Sequence, residues 1–332
     1  MRVLRWLLGL LVLVALAFGG LAAWWVGTPL PLSAPTVEVS IEPGTQPRDI
    51  AQAWVQAGVQ TQPLYLYELF RWSGLARRIR AGSYEAGQGT TPWQLLQKMV
   101  QGEETLEHVR LIEGWTFRQW RAELAKSRSL KQASADMSDA QIMEALGSPG
   151  MAPEGRFFPD TYAYSKGVSD LTVMRRAHQA LQRRLAQAWT QCPPDSPLKS
   201  MDEALVLASI VEKETGATTD RGMVAGVFSN RLRLGMPLQT DPSVIYGLGE
   251  RFDGNLRKKD LLTDGPFNTY TRAGLPPTPI AMPGMASLRA AVKPDPTKAL
   301  YFVARGDGSS HFSENLAEHN RAVDKYQRAA SR

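Results

Sequence analysis

Two glutamates, Glu212 and Glu214, close an apolar run that begins near Leu205. Ser200 and Glu203 have capping-box spacing, which predicts a helix starting there, and Gly216 suits its left-handed C′ position. Leu205, Val206, Leu207, Ile210 and Val211 cover nearly the whole circumference, so this helix is packed on most sides. Its C-terminus carries the negative end of the macrodipole. A carboxyl group in the last turn is therefore held towards its protonated form, more so where water is scarce. A Glu protonated at neutral pH is a general acid. Two ordinary glutamates neutralised by Lys213 and solvent would give the same pattern. The two lie roughly 200° apart around a regular helix, so they cannot share one site. Periodicity alone does not choose between Glu212 and Glu214.

Polar loops follow this helix. Leu238-Gln239-Thr240-Asp241-Pro242-Ser243 leads into a short helix through Ile245 and Tyr246, and Asn268-Thr269-Tyr270 precedes Gly274-Leu275-Pro276-Pro277, whose prolines exclude helix and central strand. Amides, carboxylates and hydroxyls beside aromatic rings suit a carbohydrate, which presents many hydroxyls and flat apolar faces. Gln239, Thr240, Asp241, Asn268 and Tyr270 are therefore the candidate substrate-binding residues. Between these segments, Asp220 is expected to cap a helix carrying Val224, Val227, Phe228 and Leu232, with Arg231 and Arg233 in its last turns. Glu154 to Tyr162 forms a further turn whose groups could face a core or a ligand.

The chain has 332 residues, 43% of them hydrophobic and 21% charged, with a net charge of +6. About 300 residues beyond the N-terminal segment suffice for two domains with sizeable cores. The positive balance suits work beside anionic lipid or an acidic polymer, but no Lys/Arg run is long enough to suggest nucleic acid. Cys192 is the only cysteine, which excludes an internal disulfide and a thiolate metal site. The four histidines form no metal motif, so neither metal nor cofactor is expected. Ser196-Pro197-Leu198-Lys199 has the S-x-x-K form of penicillin-binding proteins, but no S-D-N or K-T-G companion accompanies it.

Leu7 to Val26 is an uncharged run of 20 residues, about 30 Å as a helix, which matches the hydrocarbon core of a bilayer. Arg2 and Arg5 before it and Trp24 and Trp25 at its far end put the N-terminus in the cytoplasm and the remainder outside. Ala15-Leu16-Ala17 has the form of a signal-peptide cleavage site, but the apolar run continues past it and favours an uncleaved anchor. Thr28 to Pro35 reads as a stiff tether. Val37 to Ile41 alternates as a strand, Pro43-Gly44 turns, and Arg48 to Val55 continues as a helix closing near Gly58. Gly82-Ser83-Tyr84 leads similarly into a helix opened by Thr91-Pro92, and Val109-Arg110-Leu111 into one capped by Thr116. Units of this kind resemble LysM, a small βααβ module that binds N-acetylglucosamine polymers, over residues 36–106. A helical spacer, with Trp54, Trp72, Trp93 and Trp115 as core rather than sugar platforms, is the alternative.

Taken in order, Ile210-Val211-Glu212-Lys213-Glu214-Thr215, Asn230-Arg231-Leu232, Leu238 to Pro242, Asn268-Thr269-Tyr270 and Gly274 to Pro277 closely resemble the endolytic murein transglycosylases of the YceG-like family. Pro159-Asp160-Thr161-Tyr162, Tyr301 to Ala304 and His311 to Asn320 fit as well, so the resemblance covers almost the whole chain. It implies an inner-membrane enzyme with a periplasmic catalytic domain that cuts nascent peptidoglycan strands internally beside the peptidoglycan synthases. It also implies that the essential acid is the first Glu of the triplet, Glu212. The expected architecture is α+β: a cytoplasmic tail (1–6), one transmembrane helix (7–26), a linker (27–35), the LysM-like subdomain (36–106) and a larger mixed catalytic domain (107–332). A non-catalytic peptidoglycan-binding scaffold would keep the anchor and the module without needing an acid.

Overall fold

The computed structural model describes residues 2–42, 44–215 and 218–328; Pro43 and Gly216, singled out above, lie outside them. The protein is α+β and divides into two compact units, residues 1–108 with 163–168, and residues 109–162 with 169–332.

The first unit begins with α1 (Arg2–Gly27), whose Gly9–Gly27 portion has a mean hydropathy of 2.1 and is long and apolar enough to cross a membrane. There follow β1 (Thr36–Ile41), α2 (Pro47–Ala57), α3 (Pro63–Trp72), β2 (Gly82–Gly87) and α4 (Pro92–Gln101). β1 and β2 pair antiparallel, Thr36 opposite Gly87 and Ile41 opposite Gly82, so that Val37, Val39 and Ile41 face the core with Tyr84 and Ala86. Against this face pack Ile50 and Trp54 of α2, Leu66 and Phe70 of α3, and Leu95, Leu96 and Met99 of α4. Trp54 is fully buried and its indole N–H meets Met99 Sδ at 3.3 Å, whereas Trp72 is 79% exposed and Trp93 42%. The turn at Gly58 needs glycine twice over. Its φ is +122°, and a Cβ there would lie 2.1 Å from Ser33 Oγ.

The chain passes between the units in β3 (Leu106–Arg110) and β4 (Thr161–Ser165), which pair with each other. The second unit is mostly helical. It contains α5 (Phe117–Lys126), α6 (Asp139–Ala145), α7 (Asp170–Trp189), α8 (Met201–Glu214), α9 (Arg221–Arg233), α10 (Asp241–Leu248), α11 (Lys258–Leu262) and α12 (Met285–Val292). A two-stranded antiparallel ribbon, β5 (Tyr301–Ala304) and β6 (Ser310–Ser313), follows, then α13 (Leu316–Val323), which runs on into a π-helical turn, Asp324–Arg328.

At its centre is α8, in which every residue from Ala204 to Val211 is buried. Ser200 Oγ accepts the Glu203 N–H at 3.2 Å, but the Glu203 carboxylate accepts from Lys199 N at 2.6 Å rather than from Ser200, so only half of the expected capping box forms. With helices on several sides, truncating Leu205 or Leu207 to Ala would cost about 2–5 kcal/mol. Two other local expectations differ. Asp220 makes no side-chain cap on α9; a short 3₁₀ turn precedes that helix, and its carboxylate accepts the Ser310 N–H at 2.5 Å instead. α10 starts at Asp241, inside the expected loop, because Pro242 is already set for the first helical turn.

Candidate functional site

The last turn of α8 sends its two carboxylates to opposite sides, as the 200° spacing requires. Glu212 turns inward. Its side chain is 7% exposed; Oε2 accepts the Gly284 N–H at 2.9 Å and the Ser287 hydroxyl at 2.7 Å, while Oε1 faces Arg221 Nη2 at 3.5 Å. Gly284 is the N-cap residue of α12 and has no side chain to serve that role. Glu212 therefore ties the start of α12 to the end of α8 as an acceptor. A third carboxyl, Glu113, lies against Gly284: a Cβ there would sit 1.8 Å from Glu113 Oε1. Burial, then the neighbouring charge of Glu212, holds the Glu113 carboxyl above its usual range.

Glu214 faces a different environment. Its Oε1 accepts the Thr240 hydroxyl at 2.5 Å, and it lines a cavity of about 680 Å³ together with Gln239, Asp241, Tyr270, Tyr301 and His319. Burial, opposed by the Thr240 hydrogen bond and assisted by the charge of Asp241, raises its pKa to about 7. A carboxyl group of this kind can give a proton at neutral pH and take one back.

Of the five residues expected to bind substrate, Gln239, Thr240, Asp241 and Tyr270 lie on the side of Glu214, not Glu212, and the five divide in kind. Gln239, Asp241 and Tyr270 line the cavity. The Tyr270 hydroxyl donates to Asp241 Oδ1 at 2.5 Å, which together with burial pushes that phenol up. Thr240 is buried and spends its hydroxyl on Glu214. Asn268 is buried too. Its amide donates to the carbonyls of Asp260, Leu261 and Thr263 at 2.7–3.2 Å, and its oxygen accepts from Tyr270 N at 2.9 Å and Thr271 N at 3.3 Å, so it knits its own loop and has no polar atom left for a ligand.

The backbone beside Glu214 is strained. Gln239 has φ +53°, the left-handed region that a residue with a side chain seldom enters, at a cost of about 1–3 kcal/mol. It is held there from two sides. Its N–H donates to Thr269 O at 3.0 Å, and Arg231 Nη1 donates to Gln239 Oε1 at 3.0 Å and to the Pro237 and Leu238 carbonyls. Arg231, itself buried, thus shapes the loop that carries the cavity wall, and its guanidinium lies 4.9 Å from the Tyr301 ring.

A larger cavity, about 1160 Å³, adjoins across the start of α10: Asp241 lines the first and Pro242 the second, with Lys213, Tyr246 and Ile280. Glu154 sits in its wall. The Glu154 carboxylate accepts the Phe117 N–H at 3.0 Å and the Tyr246 hydroxyl at 3.2 Å, and burial raises its pKa to about 7. The sequence marks the turn containing Glu154 but gives it no role; Tyr301 and His319 were legible only as parts of a motif.

A profile of the YceG-like family matches residues 39–325. The chain belongs to the YceG-like family. Two relatives named endolytic murein transglycosylase are similar to this YceG-like protein: that of Bacillus subtilis strain 168, 32% identical over 89% of this chain and 86% of the relative, and that of Streptococcus pneumoniae serotype 2, 25% identical over 87% of this chain. The alignment spans 58% of the streptococcal protein's length. A 2.6 Å crystal structure of a YceG-like protein from Listeria monocytogenes superposes with a TM-score of 0.56 at 29% identity, covering 86% of this chain and 98% of that one.

Proposed function

We propose that this YceG-like protein is an endolytic murein transglycosylase, which cleaves the bond between N-acetylmuramic acid and N-acetylglucosamine within peptidoglycan strands and leaves 1,6-anhydromuramyl ends. The observation that carries the reading is Glu214, a carboxyl with a pKa of about 7 in the wall of a cavity lined by hydroxyl, amide and aromatic groups, in a chain of this family. In our reading Glu214, rather than Glu212, is the acid. It protonates the glycosidic oxygen as the bond from the muramyl C1 breaks. As carboxylate it then takes the proton of the muramyl 6-hydroxyl, whose oxygen closes on C1. One group serves both steps, so no second carboxylate at hydrolase spacing and no cofactor is called on. Gln239, Asp241 and Tyr270 orient the glycan, Thr240 positions the Glu214 carboxyl, and Asn268 holds the loop.

Neighbouring residues at the start of α10, Asp241 and Pro242, line the two cavities, which supports a binding surface long enough for several sugars of a strand. Residues 1–6 form a cytoplasmic tail, 7–26 an anchor in the inner membrane, 27–35 a linker, 36–106 a LysM-like module and 107–332 a periplasmic catalytic domain working beside peptidoglycan synthases. The strand-helix-helix-strand order of β1, α2, α3 and β2 supports the LysM-like reading. Digestion of purified peptidoglycan with the full-length protein in detergent tests the activity. Mass spectrometry of the fragments should find anhydro ends, lighter by one water than reducing ends; reducing muramic acid as the main product would make the protein a muramidase.

A further inference from the structure

Helix α3 is apolar on two faces. Leu66 and Phe70 enter the core of the first unit, yet Leu64 is 60% exposed, Tyr65 54% and Trp72 79%. Tyr65, Glu68, Leu69 and Trp72 fall at i, i+3, i+4 and i+7, a second stripe along the helix. On α1, Phe18, Leu21, Ala22 and Trp25 have the same spacing. The two stripes face one another across an apolar wedge of about 500 Å³, and the Trp25 and Tyr65 rings meet edge to face with centroids 5.8 Å apart. Phe18 lies seven residues before Trp25, about 10 Å along α1, and Trp72 lies seven residues beyond Tyr65. Both line the wedge, so α3 runs beside the apolar part of α1 rather than away from it.

Resting on the reading of α1 as a membrane anchor, we propose that α3 is a second membrane-contacting element, bedded in the leaflet from which α1 emerges, with lipid filling the wedge between them. The chemistry fits a bilayer interface. Exposed Trp and Tyr rings favour the headgroup level, and an amphipathic helix there buries its apolar side by roughly 5–10 Å. Arg77 and Arg78 follow α3 in a 3₁₀ turn; both are exposed and have no ion pair among the described residues, which leaves them for anionic headgroups. The Glu68 carboxylate is met by Arg71 at 2.7 Å and the Trp72 indole N–H at 2.9 Å, so the one acid on the stripe is neutralised within the helix. A groove whose wall is the spanning helix itself is continuous with the bilayer, and this singles out lipid over a protein occupant.

The test uses the full chain with Cys192→Ser, carrying single cysteines at Trp72, Leu64, Phe18 or Leu262, each labelled with an environment-sensitive fluorophore. Each is reconstituted in nanodiscs of phosphatidylcholine and phosphatidylglycerol containing a nitroxide-bearing lipid. Leu262, 68% exposed in the second unit, is the aqueous control. Labels at Trp72 and Leu64 should be quenched at least severalfold more than the label at Leu262 and approach that at Phe18. Quenching at Phe18 with Trp72 and Leu64 no different from Leu262 would overturn the proposal while leaving the anchor intact. Absence of quenching at Phe18 would remove the anchor and the proposal with it.

Discussion

The Thr240 hydroxyl donates to Glu214 Oε1 at 2.5 Å and thereby joins the end of α8 to the start of α10. This bond stabilises the charged form of a carboxyl that burial and Asp241 hold protonated, and so sets where Glu214 titrates.

Activity should follow from that balance. An acid with a pKa of about 7 is protonated below neutrality and loses its proton above it, so kcat/KM should fall about tenfold per pH unit on the alkaline side. Thr240→Val removes a donor that favours the carboxylate. Its alkaline limb should move to higher pH, with about 1 kcal/mol lost in stability. A pH–rate profile of the two proteins checks this; a limb that stays in place or moves down would break the link between Thr240 and Glu214.

Asn268 and Tyr270 should separate in thermal melts. Asn268→Ala removes the side-chain amide that ties a buried loop together and should lower Tm by several degrees, with activity falling in parallel. Tyr270→Phe removes a hydroxyl at the cavity wall and should reduce turnover of long strands by ~10-fold or more with little change in Tm. Equal losses of Tm in both would reduce Tyr270 to a loop residue.

Glu154 should make the protein less stable as pH rises. Its folded pKa of about 7 exceeds the usual carboxyl value, so below about 4.5 both folded and unfolded chains hold the proton and nothing is lost. Between there and about 7 the unfolded chain releases the proton first, and stability falls by on the order of 1.4 kcal/mol per unit. Glu154→Gln removes this term. Relative to wild type, its unfolding free energy should improve from pH 5 to pH 8; a constant difference would show that Glu154 does not retain a proton in the fold.

Much of this was legible in the sequence. The packed helix ending in two carboxylates, the polar loops and the apolar N-terminal helix follow from periodicity and turn chemistry, which are local. What sets Glu212 and Glu214 apart is not local. Glu212 is occupied by Gly284 and Ser287, more than seventy residues away, and Glu214 meets a loop shaped by Arg231 and strained at Gln239. Asn268 looked like a sugar ligand for the same reason: an amide in a polar loop reads alike whether its partners are hydroxyls of a glycan or three carbonyls of its own chain. Asp220, expected as a cap, is taken by Ser310 through tertiary contact.

The most direct test compares Glu214→Gln and Glu212→Gln in digestion of purified peptidoglycan, with circular dichroism and thermal melts on the same samples. Glu214→Gln should remain folded and release anhydromuropeptides at least ~10²-fold more slowly. Glu212→Gln should retain a measurable part of the activity and lose mainly stability, because it weakens the seam between α8 and α12. Near-wild-type release by folded Glu214→Gln, with release abolished in folded Glu212→Gln, would contradict the assignment and return the acid to Glu212.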